Sequence, residues 1–183
     1  MYENLFKSPL QRVFVYGTLK RNEPNHHLIS NAENGYAKFM GLGKTILAFP
    51  LVIATKYNIP FLLKRPGTGH NIFGEVYDVD SKMLKELDKL EEHPDFYIRM
   101  EEDILLAPEK DITNGSNFES IGESTKAWIY LLPNFKESLL ELPMLTSYSN
   151  EGSHGLKYIE RYLRDCSFNH RNEVLNSNNR AEN

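Results

Sequence analysis

The tightest constraint on how this chain folds lies in Val13-Phe14-Val15-Tyr16, a run of apolar β-formers that breaks at Gly17 and passes into Thr18-Leu19-Lys20. Such a run predicts a strand buried along much of its length. A glycine at its end allows the close approach of a ligand that a Cβ would block. A strand with that exit makes a pocket wall, in which the amides of Gly17, Thr18 and Leu19 can grip a carboxylate or a carbonyl oxygen. A turn that merely ends a strand fits the same residues, so the rest of the chain has to decide between the two.

More strands follow. Tyr36 to Thr45 and Phe49 to Ala54 have strand composition, the second with a near-continuous apolar run expected to be buried on both faces and to extend the same sheet. Asn58-Ile59-Pro60-Phe61-Leu62-Leu63 is apolar but carries a proline, which favours an edge, a bulge or a loop. Apolar residues held there, Ile59 among them, can line a pocket. Ile72 to Val79, a segment from Tyr97 to Ala107 and Ala127 to Leu131 complete the set, with Tyr97 and Arg99 on positions that can face the pocket. Residues 108–126 lack any period and predict a long hairpin loop. The glycine-bearing loop from Tyr148 to Gly155 is of a kind that lies over a site, with Tyr148 as its aromatic cover. Leu156 to Arg164 is expected to form a terminal helix.

At 183 residues the chain suits one domain. We expect an extension over 1–11, the domain over 12–165 and a disordered tail over 166–183 that is rich in Asn, Arg and Glu. A net charge of −4 without a basic stripe argues against nucleic acid or an anionic membrane surface as partner. A single cysteine, Cys166, excludes an intramolecular disulfide, and no apolar leader opens the chain, so a cytosolic setting is expected. His26 and His27 are adjacent but have no third ligand at a supporting spacing, so no metal is expected.

The most informative local pattern runs from Ser81 to Glu92, behind a fit N-cap at Asp80 or Ser81. At about 100° per residue, Met83, Leu84, Leu87 and Leu90 share one stripe of a helix. Glu91 falls inside that stripe as its only charged member. A carboxylate buried without a partner has a raised pKa, and a carboxyl poised near neutrality suits a general base. A solvated helix end, with His93-Pro94 stopping the element at once, is the plainer reading.

Taken in order, several segments carry a resemblance. They are Val13 to Lys20 with Pro24-Asn25-His26, Pro50 to Ala54, Asn58 to Leu63, Pro66-Gly67-Thr68-Gly69 and Gly74-Glu75-Val76-Tyr77. Leu87-Asp88 with Glu91 and Pro94, Tyr97 with Arg99, and Ser147-Tyr148 with Glu151 to Leu156 continue the set. Over Arg12 to about Arg164 the chain resembles the γ-glutamylamine cyclotransferases, within the wider γ-glutamyl cyclotransferase-like or AIG2-like group. Asn22 departs from the family pattern, where glycine is frequent, and Ser153 stands where proline is frequent. The resemblance implies an α+β fold, a small mixed β-barrel with flanking helices. It implies Glu91 as catalytic acid and base, and substrate binding by Tyr16, Gly17, Thr18 and Leu19, to which Ile59 and Tyr148 are added from the pocket reading. It further implies action on a small γ-glutamyl amide without any cofactor, releasing 5-oxoproline, and we expect the chain to be a monomer. Two other readings stay open: the same chemistry on γ-glutamyl α-amino acids, and a non-enzymatic binding protein on the same fold.

Overall fold

β1 (Gln11–Val15) sits between two strands, antiparallel to β5 (His70–Val79) and parallel to β7 (Glu123–Leu131) through the Val13–Trp128 pair. On the far side β5 pairs with β2 (Ala37–Phe49), β2 with β6 (Ile98–Ala107) and β6 with β7, all antiparallel. The order β1-β5-β2-β6-β7 closes on itself as a mixed barrel. The structure, a computed structural model, describes residues 9–108 and 122–176; among these no helix is long and apolar enough to cross a membrane.

The Phe14 side chain, 1% exposed, fills the barrel interior, and two glycines make room for it. Gly43 and Gly74 are register partners on β2 and β5, and a Cβ at either would lie 2.8 or 2.6 Å from the Phe14 ring. The glycine at the head of Gly74-Glu75-Val76-Tyr77 is thus a packing requirement. Glu75, in the same strand, is 6% exposed and fully engaged. It accepts from the Arg21 amide at 2.9 Å, from Arg21 Nε at 3.0 Å and from the Tyr77 hydroxyl at 2.9 Å. A buried carboxylate needs such a set of donors, and it ties the chain just beyond Gly17 to the barrel wall. Asn22 follows at φ 63°, a left-handed conformation that glycine and asparagine tolerate best, which accounts for its standing in a glycine position.

Four details differ from expectation. β3 (Leu51–Ala54) and β4 (Ile59–Leu62) do not extend the barrel sheet; they form a two-stranded sheet of their own, and Phe49 closes β2 instead of opening β3. Pro60 is accommodated because β4 pairs only with β3, leaving an edge where no donor is needed. Leu132 then straps the hairpin to the barrel, donating to the Leu62 carbonyl at 2.8 Å and accepting from Lys64 at 2.9 Å. Second, α1 is the short His26–Ser30 and α2 spans Ser81–Glu91, but 156–164 contain only one tight turn, Arg161–Leu163. Leu156, Tyr162 and Leu163 are exposed, so no apolar stripe holds a longer helix there. Third, the part of the tail that is described has structure: α3 (Arg171–Val174) buries Val174 completely, and the Val174 carbonyl accepts from Lys136 at 2.8 Å. Fourth, β1 already begins at Gln11. Most of the predicted hairpin loop, residues 109–121, and the ends 1–8 and 177–183 lie outside the described residues.

Candidate active site

α2 is held at its start by Asp80, whose carboxylate accepts from the Met83 amide at 2.8 Å, and it buries Met83, Leu84 and Leu87 against the barrel. It ends on Glu91, because Glu92 turns left-handed at φ 53° and ion-pairs with Arg171. The helix thus delivers Glu91 to the floor of a cleft of about 810 Å³, the open space at its mouth included. The same cleft is lined by Tyr16, Gly17, Thr18 and Leu19, leaving the end of β1, and by Ile59, Pro60 and Phe61 from β4.

The turn after β1 is pinned on its carbonyl side. The Gly17 carbonyl accepts from Lys20 at 3.2 Å and that of Thr18 from Asn25 at 2.9 Å. Asn25, 6% exposed, also donates from Nδ2 to the Thr18 hydroxyl at 2.9 Å and to the Tyr158 hydroxyl at 3.0 Å. Among the described residues the amides of Gly17, Thr18 and Leu19 donate to no turn or loop carbonyl. Three neighbouring N–H groups beside a cleft form a natural site for a carboxylate or an oxyanion. Gly17 is needed for closeness and not for an unusual φ: a Cβ there would stand 3.2 Å from Pro60 Cγ across the cleft.

Glu91 forms no salt bridge among the described residues, and water still reaches part of the side chain. Its carboxyl is nevertheless surrounded by protein, and burial pushes its pKa up to about 7; Arg161 pulls it down and Glu92 adds to the rise. The aromatic wall is rigid: Phe61 stacks on Tyr97 with centroids 6.1 Å apart at 7°, and Phe96 meets Tyr97 edge-on at 5.0 Å. Burial, with Glu91 close by, keeps the phenols of Tyr16 and Tyr97 protonated far beyond neutral pH. Tyr16 spends its proton on the Tyr130 carbonyl at 2.7 Å, and Tyr130 donates to Asp88 at 2.7 Å.

Six of the residues picked from the sequence, Glu91, Tyr16, Gly17, Thr18, Leu19 and Ile59, thus share one cleft with Tyr97. Tyr148 is not among its walls. Its ring is completely buried in the core cluster of Phe14, Leu51 and Leu62, and its carbonyl accepts from Lys20. Burial of a large aromatic outweighs a place at a wet mouth. Arg99 also turns away, pairing with Asp88 at 3.1 Å and lying over Trp128 at 4.7 Å. Sequence reading missed Asn25, Tyr130, Tyr158, Arg161, Arg164 and His170, all on the cleft. Asn25 and Tyr158 lay within or beside quoted segments but carried no local sign of facing inward. His26 and His27 cap nearby carbonyls, those of Leu19 and Pro24. Among the described residues no group of three or more His, Cys, Asp or Glu converges.

Comparison with known proteins gives a consistent set of relatives. Residues 13–150 match the family described as Gamma-glutamyl cyclotransferase, AIG2-like. A relative from Drosophila melanogaster that carries a gamma-glutamylcyclotransferase name is 50% identical over 156 residues, 85% of this chain and 90% of that protein. Gamma-glutamylaminecyclotransferase C of Danio rerio is 46% identical over 149 residues, 81% of this chain and 93% of its own. The crystal structure of an AIG2-like protein from Mus musculus superposes with a TM-score of 0.76 at 39% identity, covering 86% of this chain and all of that one (100%).

Proposed function

The chain belongs to the gamma-glutamyl cyclotransferase, AIG2-like family, and on that premise we propose that it is a cofactor-independent γ-glutamylamine cyclotransferase with Glu91 as its acid and base. The observation that carries the role of Glu91 is its carboxyl, poised near neutrality at the end of α2, on the same cleft as the turn from Gly17 to Leu19.

In this reading the substrate is a γ-glutamyl amide such as γ-glutamyl-ε-lysine. Ionised Glu91 takes a proton from the α-ammonium group. The freed amine attacks the γ-carbonyl carbon of the same residue, forming the new C–N bond of a five-membered ring. The oxyanion that appears on the carbonyl oxygen meets amide donors of the Gly17 turn, a type of contact worth several kcal/mol. Glu91 then returns its proton to the departing nitrogen as the old C–N bond breaks, and the second proton shed by the ring nitrogen goes to the released amine, leaving 5-oxoproline and the amine as its ammonium ion. Ring closure is already unimolecular, so the protein's task is orientation and proton movement. Ile59, Pro60, Phe61 and Tyr97 shape the walls that hold the chain folded on itself.

The test is to offer γ-glutamyl-ε-lysine, γ-glutamyl-alanine and glutathione in parallel and to measure 5-oxoproline. We expect product first and fastest from the ε-lysine conjugate; silence from all three would return the chain to the binding-protein reading. The pH dependence offers a second check. Glu91 acts as base only when ionised, so kcat/KM should rise with pH on an acid limb near 7, where burial has put this carboxyl. Arg161 holds that pKa down, so removing its charge by Arg161→Gln should carry the limb to higher pH. A limb near the ordinary glutamate value would exclude Glu91 as the titrating base.

A further inference from the structure

Two guanidinium groups reach the cleft from the segment that follows the last barrel strand, beyond residues 13–150. Neither pairs with an anion among the described residues. Arg164 donates from Nε to the Ile159 carbonyl at 2.9 Å, and its guanidinium lies 5.2 Å from the Tyr57 ring centroid and 4.9 Å from that of Tyr158. Its Nη2 is buried with no hydrogen-bond partner among the described residues. Arg161 is exposed, donates to the Leu90 carbonyl at 3.3 Å, and is close enough for its charge to be felt by both Glu91 and Arg164. Neither arginine forms a salt bridge among the described residues, in contrast to Arg12, Arg21, Arg99 and Arg171.

Two neighbouring positive charges with an unmet buried donor are an unfavourable arrangement until an anion joins them. Among the described residues none pairs with either arginine. Glu91, which shares the cleft with them, has to alternate between protonated and ionised forms, and a fixed ion pair would abolish that. The glutamyl half of the substrate, its α-carboxylate together with the oxyanion that develops on its γ-carbonyl, is assigned to the three amides of Gly17 to Leu19. What remains is the far end of the substrate, the departing amine.

We propose that Arg164 and Arg161 form a subsite for a carboxylate carried by the leaving amine, so that the favoured substrates are γ-glutamyl conjugates of amino acids. This rests on the reaction assigned above and adds its substrate class. Tyr57 and Tyr158 hold the Arg164 fork flat, and the Ile159–Tyr57 and Asp165–Tyr57 hydrogen bonds at 3.0 and 3.1 Å fix the segment that carries it. With Arg164 Nε committed to the Ile159 carbonyl, its remaining N–H groups and the exposed guanidinium of Arg161 are the donors offered to a carboxylate, a planar charge-assisted contact that a point charge matches less well.

The test compares γ-glutamyl-ε-lysine with γ-glutamyl-cadaverine, which differs only in lacking the carboxylate. The protein as it stands should prefer the lysine conjugate by about ten- to a hundredfold in kcat/KM, the scale of a charge-assisted contact. Arg164→Gln and Arg161→Gln should each shrink that ratio, mainly through KM on the lysine conjugate, since the contact is made equally before and during reaction. The pull of Arg161 on Glu91 affects both substrates alike and cancels in the ratio. Arg164 packs between two rings, so its variant needs a melting curve beside it; Arg161 is exposed and carries the test alone if that variant unfolds. Equal rates on both conjugates before mutation, or a ratio unmoved by Arg161→Gln, would overturn the proposal. γ-Glutamyl-alanine places the carboxylate beside the scissile amide, so a higher rate on it than on the lysine conjugate shows the subsite serving α-linked leaving groups. No 5-oxoproline from any conjugate is a different result, which removes the reaction itself and this inference with it.

Discussion

Glu91→Gln is expected to lower kcat on a γ-glutamyl amide by about a hundred- to ten-thousandfold, the range over which a positioned acid–base group contributes. Glutamine keeps the size and polarity of the side chain but cannot take the proton from the α-ammonium group or return it to the leaving amine. Substrate affinity, set by the Gly17 turn and the aromatic wall, should change little. Stability is expected to move the other way. The folded-state pKa of Glu91 lies near 7 while the unfolded chain keeps the ordinary glutamate value, so the unfolded state releases this proton first as pH rises. The folded state loses stability as pH rises through that window, and above it bears a penalty on the order of 1–3 kcal/mol, reduced by the water that reaches the group. Glutamine removes that penalty. At pH 8 the variant should therefore melt at or above the temperature of the unmutated protein while being nearly inactive. Turnover within tenfold of normal, in a variant that melts normally, would sink the assignment of Glu91.

The position of Glu91 was legible because a helix reports its faces through a local period, and one acidic residue inside an apolar stripe breaks that period visibly. The Gly17 turn was legible for a similar reason, as a glycine cutting a buried run. Barrel closure was not legible from the residues alone. It rests on Val13 meeting Trp128, a pairing that no local pattern encodes, and only resemblance to a family anticipated it. The hairpin of β3 and β4 was misplaced for the same reason, since burial of a strand does not say which sheet buries it. Arg161 and Arg164 escaped because their segment carries no periodic pattern; it is fixed by hydrogen bonds to Tyr57, which stands 108 residues before Asp165. Tyr148 shows the converse error. Its polar loop was correctly marked, but loop composition does not show whether an aromatic ring turns toward solvent or into the core, and here the apolar shell around Phe14 and Leu51 took it.

The cradle can be separated from the base by filling it. Gly17→Val should lower kcat/KM by about a hundredfold, the loss that accompanies displacement of reacting groups by about 1 Å. A Cβ at this position stands 3.2 Å from Pro60 Cγ, so alanine already requires Pro60 to yield slightly, and the branched methyls of valine have to enter the cleft. Gly17→Ala should accordingly lie between glycine and valine. The backbone itself raises no objection, because Gly17 is not among the residues with positive φ. Fold loss is therefore not the expected cause, and the melting temperature should fall by no more than a few degrees, as for a crowded but adaptable contact worth about 1 kcal/mol. Gly74 supplies the contrast. A Cβ there would meet the Val15 carbonyl oxygen at 2.4 Å and the Phe14 ring at 2.6 Å, inside the barrel where nothing can yield, so Gly74→Ala should unfold the protein and lose activity only in consequence. If the amides of Gly17 to Leu19 receive the oxyanion, the Gly17 series should fall mainly in kcat, since that charge exists only in the transition state. A Gly17→Val variant that keeps kcat within about threefold, against the loss of 10²–10³ known for a missing oxyanion donor, would move the cradle elsewhere in the cleft.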